Sequence, residues 1–282
     1  MRKQWLVIGL CPVRISRGAT RFGYCGPRCT RTDAVPPDLP FYIAIGFAAQ
    51  IVDGALGMAY GITASSLLLG FGVAPAVTSA TVHAAECFTT GASASAHHAF
   101  GNIDRVLFRR LLLPAVAGAA IGAYLLASLP GEAAKPWIAG YLLLMGVLIL
   151  SKAFIEYRPR KVASHLRPLG FFGALVDAVG GGGWGPIVAS NLLARGNDMR
   201  LTVGTVNAVE FFVTLTASLV FLLTLGLTHW DIIAGLAIGG VAAAPLGAWL
   251  VRHVRPRPLM LVVGLLVIGL SVRTLWMHHA AA

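Results

Sequence analysis

Charge is scarce in this sequence. Only 12% of its 282 residues are Asp, Glu, Lys or Arg, and just 11 are acidic, which excludes the solvated surface of an ordinary soluble domain. Cysteine is scarce as well. Cys11, Cys25, Cys29 and Cys87 are too few and too unevenly spaced for a disulfide framework, and Cys25 and Cys29 lack nearby His or Cys partners to complete a metal site. The dyad alternation of an outer-membrane barrel is also missing. Apolar residues fill the chain instead, at 57% of the total and a mean hydropathy of +0.77. Lipid is the expected solvent.

A net charge of +11 does not point to nucleic acid. Arg2, Lys3, Arg14, Arg17, Arg21, Arg28 and Arg31 precede residue 40, and most other cations stand between apolar runs. That layout suits anionic lipid headgroups. Residues 1–40 read as a basic, largely disordered extension, because the apolar stretch from Trp5 to Leu10 is too short to span a bilayer.

Eight apolar stretches approach the roughly 20 residues a spanning helix needs: 41–70, 77–100, 108–129, 136–154, 169–193, 201–225, 232–251 and 258–275. Each should be helical, since any other conformation leaves backbone donors and acceptors unpaired in hydrocarbon. Pro136 and Pro258 fit first helical turns. The expected fold is an all-α integral membrane protein of about eight transmembrane helices in two internal four-segment repeats. Its divisions are the extension 1–40, a first repeat 41–155, a basic loop 156–168, a second repeat 169–277 and a tail 278–282.

The repeat is legible without gaps. Laying Gly46–Thr90 over Gly170–Thr214 makes roughly 17 of 45 positions identical. Apolar bias cannot produce the informative matches: Asp53 with Asp177, Gly57 with Gly181, Gly61 with Gly185, Ser66 with Ser190, Glu86 with Glu210 and Thr90 with Thr214. With small gaps, Asp104 pairs with Asp231. Eight straight crossings with a cytoplasmic N-terminus are the simplest topology, with Arg105, Arg109, Arg110 and the 152–168 loop inside. That scheme leaves Arg195, Arg200, Arg252, Arg255 and Arg257 outside. A re-entrant fifth stretch would bring them in and invert the second repeat, so parallel and inverted repeats both stay open.

Four carboxylates lie well within the apolar stretches, as the repeat-related pairs Asp53 with Asp177 and Glu86 with Glu210. A carboxylate at membrane depth costs several kcal/mol, on the order of 2.5 or more, unless protonated, paired or hydrated. Glu86 and Glu210 are candidates for proton coupling, with interhelical hydrogen bonding as the plainer alternative. The aspartates either order a site or cap a broken helix. His83, Glu86, Thr90, Ser93 and His97 share one helical face, and Asn207, Glu210 and Thr214 echo it in the second repeat. These stripes either line a cavity or glue the bundle. After each aspartate comes a glycine-rich interruption, Asp53 to Gly61 with Gly57 and Tyr60, and Asp177 to Pro186 with Gly181, Gly182, Gly183, Trp184 and Gly185. Four consecutive glycines before Trp-Gly-Pro cannot continue a stable helix. The break would free backbone N–H groups and aim the positive end of a half-helix at whatever fills the gap, which favours an anion.

Asp-Gly-x-x-Gly-Met-x-Tyr-Gly at 53–61, Ala-Glu at 85–86, His-x-x-x-Gly-x-x-Asp at 97–104 and Gly-Gly-Gly-Gly-Trp-Gly-Pro-Ile at 180–187 resemble the sulfite exporter TauE/SafE family from residue 41 to 275. The resemblance implies a multi-pass permease of the bacterial cell membrane that moves sulfur-containing anions such as sulfite or organosulfonates. The partners expected are a small anionic substrate, the lipid bilayer and protons as a candidate coupling ion; neither cofactor nor nucleic acid is expected, and the oligomeric state is left open. A passive anion channel shares every one of these features. An intramembrane enzyme using His83, Glu86 and His97 lacks the Gly-x-Ser-x-Gly and His-Glu-x-x-His patterns that would support it.

Overall fold

The computed structural model describes residues 10–14, 20–24, 39–56, 59–154, 165–195, 197–226, 229–253 and 256–281. It falls into two units, Met1–Val35 and Pro36–Ala282. In the first, β1 (Leu10–Arg14) pairs antiparallel with β2 (Thr20–Tyr24), Pro12 standing opposite Phe22. Among its described residues the second unit is entirely helical.

The helices are α1 (Leu39–Leu56), α2 (Tyr60–Gly70), α3 (Pro75–Ala99), α4 (Arg105–Ser128), α5 (Gly131–Lys152), α6 (Leu166–Gly180), a short π-helix (Gly185–Ala189) leading into α7 (Ser190–Ala194), α8 (Met199–Thr224), α9 (Trp230–His253) and α10 (Pro256–Ala281). Their starts follow local chemistry. Proline opens α3 and α10. Asp104 caps α4, accepting from the N–H groups of Val106 (2.8 Å) and Leu107 (3.1 Å), and Asp198 caps α8 through the Leu201 N–H (2.9 Å). Helices α4, α5, α8 and α10 are each long and apolar enough to cross a membrane. Their outward faces carry exposed Leu113, Leu144, Leu223 and Val262, as lipid-facing surfaces should. By contrast α2, with 11 residues, is about 16 Å long, roughly half a hydrocarbon core.

Residue pairings set the helix directions. Helix α3 runs antiparallel to α8, because Cys87 Sγ lies 3.6 Å from the hydroxyls of Thr214 and Ser218 whereas Ser93, further along α3, meets Asn207, earlier on α8, at 3.1 Å. Helix α4 runs parallel to α8. The Asp104 N–H donates to Thr205 Oγ1 (2.8 Å), and further along both helices the Phe108 and Phe212 rings stand 5.9 Å apart. Helix α6 is parallel to α4, with Gly170 against Leu111 and Gly122 against Ala178, each 3.1 Å from where a glycine Cβ would sit. Since α6 and α8 point the same way, the chain must turn back between them. The π-helix and α7 make that return, placing Val188 beside Gly173 and Trp184 beside Asp177. The first repeat does the same, for the Phe71 ring after α2 lies 4.8 Å from the Phe41 ring at the start of α1.

The first and fifth apolar stretches are therefore re-entrant hairpins, not straight crossings. Six long helices remain among the described residues. Helices α5 and α10 are antiparallel, Gly146 facing Val267 and Gly264 facing Leu150 at 3.0 Å from the added Cβ, as are α3 and α8, so the two repeats are inverted. Packing exchanges elements between them: α1 lies on α9 and α6 on α4, the two most extensive helix pairs. Glycines make both contacts close, since a Cβ on Gly46 would sit 2.7 Å from Leu236 Cα and one on Gly118 3.1 Å from Leu175 N. One buried cluster gathers Leu126, Leu142, Met145, Phe221 and Val267, and another Leu111, Trp184, Leu192 and Val209.

Charge follows the same directions. Arg105, Arg109, Arg110, Lys152, Arg167, Arg195, Arg200, Arg252 and Arg257 all stand at helix ends on one face, which is also where α5 ends and α6 begins. Lys135 and Arg273 stand toward the other. That second face also carries three exposed tryptophans, Trp137, Trp230 and Trp276, the residue type favoured at a membrane interface.

Candidate functional site

Asp53 and Asp177 occupy equivalent places and do equivalent work. Asp53 Oδ1 accepts from the N–H groups of Ala59 (2.8 Å) and Tyr60 (3.2 Å), and Asp177 Oδ1 accepts from the N–H of Trp184 (2.8 Å). Each carboxylate sits near the end of an inbound helix and closes the first turn of the returning one, tying the hairpin across its own break. Gly181, Gly182 and Gly183 have φ of 71°, 144° and 141°, a region that a side chain enters only under strain.

The carbonyls freed by the second break find hydroxyl donors on three other helices. Ser79 Oγ donates to Ala178 O (2.6 Å), Tyr141 Oη to Gly182 O (2.8 Å) and Ser65 Oγ to Gly181 O. Trp184 is fully buried, and its indole N–H donates to Val206 O (3.1 Å). Tyr60 donates to Leu236 O (3.0 Å). Lys152 crosses from α5 to the returning arm, donating to Pro186 O (3.0 Å) and to Ser190 Oγ.

The tips of the two hairpins meet. A Cβ on Gly61 would lie 2.7 Å from Gly182 Cα and 2.9 Å from Glu86 Oε1. Around this point a narrow cavity of about 10 Å³ is lined by Asp53, Ala59, Tyr60, Gly61, Ile62, Glu86, Gly183, Gly185, Pro186 and Glu210. Three carboxyl groups and the first turns of both returning arms converge on it, and no basic side chain lines it among the described residues. Helix N-termini supply positive potential there. The glutamates, acceptors when ionised, become donors only when protonated.

Of the residues singled out in the sequence, Asp53, Tyr60, Gly61, Gly183, Gly185, Glu86 and Glu210 come together at the cavity, while Gly181, Gly182, Asp177 and Trp184 build the break behind it. Gly57 lies outside the described residues. The remaining stripe residues point elsewhere. Thr90 bonds Glu86 O (2.6 Å), Thr214 bonds Phe211 O (3.0 Å) and Asn207 donates to Ser93 Oγ (3.1 Å). His83 is fully buried outside the cavity lining, its Nε2 3.1 Å from Asp177 Oδ2. Ser65, Ser79 and Tyr141 escape a reading based on the repeat, because Ala189 and Val203 stand where repeat partners of the two serines would be. The unpaired carbonyls that any glycine break creates were the available signal.

The sequence profile of the sulfite exporter TauE/SafE family matches residues 42–274. The chain is also similar to the probable membrane transporter protein YtnM of Bacillus subtilis (strain 168), with 42% identity over 250 residues that cover 84% of this chain and 83% of that protein. No solved structure matches.

Proposed function

The chain belongs to the sulfite exporter TauE/SafE family, and from that premise we propose that this multi-pass membrane transporter carries small sulfur oxyanions, sulfite or organosulfonates, in exchange with or alongside protons across a bacterial inner membrane. Membership is in a transporter family, not an enzyme family. The observation that carries the proposal is the cavity between the hairpin tips, where two helix N-termini face Glu86 and Glu210. The helix ends attract an anion, and ionised glutamates repel it. Protonated glutamates both remove that repulsion and offer O–H donors to an oxyanion. Anion binding and proton binding therefore favour each other, and linkage makes the effect reciprocal. Gly61, Gly183, Gly185 and Tyr60 shape the space, and Asp53 and Asp177 hold the two arms around it.

The charge distribution supports an orientation. Taking the arginine-rich face as cytoplasmic, both hairpins dip from opposite sides, α1 and α2 from outside and α6 to α7 from inside. Arg195, Arg200, Arg252 and Arg257 then come inside with the rest, and α1 begins outside, which reverses the side expected from eight straight crossings. Inverted repeats meeting between the two hairpin tips suit transport by alternating access.

Uptake of labelled sulfite into inverted vesicles tests the function. Uptake should saturate, respond to an imposed pH gradient, and lose that response in the double variant Glu86→Gln with Glu210→Gln. Failure of every sulfur oxyanion to move would sink the substrate assignment. Saturation without any gradient response would sink the coupling, and flux that neither saturates nor heeds pH would be that of a passive channel.

A further inference from the structure

The turn between α3 and α4 holds a second cavity, of different chemistry from the one between the hairpin tips. It measures about 300 Å³ and is lined by His98, Gly101, Ile103, Arg105 and Phe108, which puts it at the low end of ligand-sized cavities, roughly 300–1,000 Å³. The turn itself makes the space. Helix α3 ends at Ala99, Gly101 turns the chain at a φ of 66°, and Asp104 caps the start of α4. A Cβ on Gly101 would meet nothing within 4 Å. The Asp104 N–H on Thr205 and the Phe108 ring against the Phe212 ring fix this end of α4 to α8.

The lining is of two kinds. Ile103 and Phe108 are apolar, whereas Arg105 brings a guanidinium and His98 an imidazole, which keeps an N–H donor in either charge state. Arg109 follows one turn on along α4, and both arginines are exposed. Among the described residues neither lies within ion-pair distance of a carboxylate. The neighbouring acid, Asp104, has its Oδ1 engaged by the N–H groups of Val106 and Leu107. The helix terminus is therefore already capped, and the available positive charge belongs to the guanidinium groups.

From Phe108 the apolar wall continues onto α8. Phe212, Leu215 and Leu219 are exposed and spaced 3 and 4 apart, so they form one stripe running away from the arginine-rich face. An unpaired cation at a helix end, a cavity beside it and an apolar stripe leading off match an amphiphile with an anionic head. A free oxyanion needs neither the apolar wall nor so much room. The repeat-related turn between α8 and α9 lacks these cations, since Leu225 and Ile232 stand where His98 and Arg105 would be.

We propose that this cavity binds one anionic phospholipid from the leaflet on the arginine-rich side. Its phosphate rests on Arg105 and His98, Arg109 adds attraction, and an acyl chain follows Phe108 onto the α8 stripe. Guanidinium suits this task because its forked donors match two phosphate oxygens at once, and basic pockets between membrane helices are where such head groups bind. The lipid bridges α4 and α8 beside the contact of Asp104 with Thr205. The site stands on the geometry of the turn and owes nothing to the transport of sulfur oxyanions.

The test uses the full chain purified in detergent, as wild type, Arg105→Gln, Arg105→Lys, Ile103→Trp and Arg167→Gln. The last removes a cation of the same face that is not part of the cavity. Native mass spectrometry counts the lipid retained on titration with phosphatidylglycerol or phosphatidylcholine, with inorganic phosphate added as competitor. Wild type should keep one phosphatidylglycerol at concentrations where phosphatidylcholine is lost, and equimolar phosphate should not displace it. Arg105→Gln should weaken retention roughly fivefold, Arg105→Lys should weaken it less, and Arg167→Gln should leave it unchanged. Ile103→Trp fills the cavity and keeps every charge, so it should also lose the lipid, and it supplies the readout if Arg105→Gln does not fold. Equal retention of the two lipids, or displacement by phosphate, would overturn the lipid assignment. Equal losses in Arg105→Gln and Arg167→Gln would reduce the binding to general surface charge and overturn the site.

Discussion

At the scale of single residues, the repeat-related aspartates share a capping role but not an environment. Asp53 is held by two backbone N–H groups, whereas Asp177 also joins buried His83. Asp53→Ala therefore removes a cap, at a cost of about 1 kcal/mol. Asp177→Ala leaves the Nε2 of a buried imidazole and the Trp184 N–H without their partner, for about 3 kcal/mol. Denaturant unfolding of the two variants in detergent checks the order; equal losses would show that the histidine contact adds nothing. Residue identity alone could not separate these sites, since Asp53 and Asp177 match across the repeat and their difference lies in what α3 places beside only one of them.

The element scale is governed by glycine, and by which glycines have neighbours. Gly182 has φ of 144°, and a Cβ there would come within 2.7 Å of Gly61 Cα at the tip of the opposite hairpin. Gly182→Ala should abolish transport, and it should lower thermal stability because backbone has nowhere to yield. Gly140, inside α5, has nothing within 4 Å of the same added atom, and Gly140→Ala should stabilise by about 0.5–1 kcal/mol through helix propensity. Measuring both by thermal unfolding separates a junction from a helix position that only happens to be glycine. The break at 181–183 was legible because consecutive glycines before proline exclude a helix. Its direction afterwards was not: a chain leaving a break can continue or return, and only α4 and α8, both parallel to α6, require the return.

For the whole molecule, the inverted arrangement has a consequence for labelling. In intact cells, with the native cysteines replaced, cysteines introduced at Gly131 and Gly226 should react with a membrane-impermeant maleimide, and those at Gly101 and His253 should not. Reaction from the opposite sides would reverse the orientation, and labelling of Gly101 and Gly226 from one side would contradict inverted repeats altogether. The cations that a scheme of eight crossings strands outside gather on one face once each repeat makes three crossings, because an odd number of passes starts the second repeat on the opposite side from the first.

The sequence by itself determined the solvent, the repeat and the family resemblance. Hydropathy, paired carboxylates and glycine breaks are local properties, and a bilayer penalises each strongly enough to make its presence informative. Tertiary structure decided where those residues point. It turned the broken stretches into hairpins, brought Glu86 and Glu210 to one cavity with Asp53, and sent His83 away from that cavity to Asp177. The physical reason is that a buried polar group takes the partner that packing brings within hydrogen-bond reach. For His83 that partner lies 94 residues away along the chain, on a helix whose direction no local pattern records.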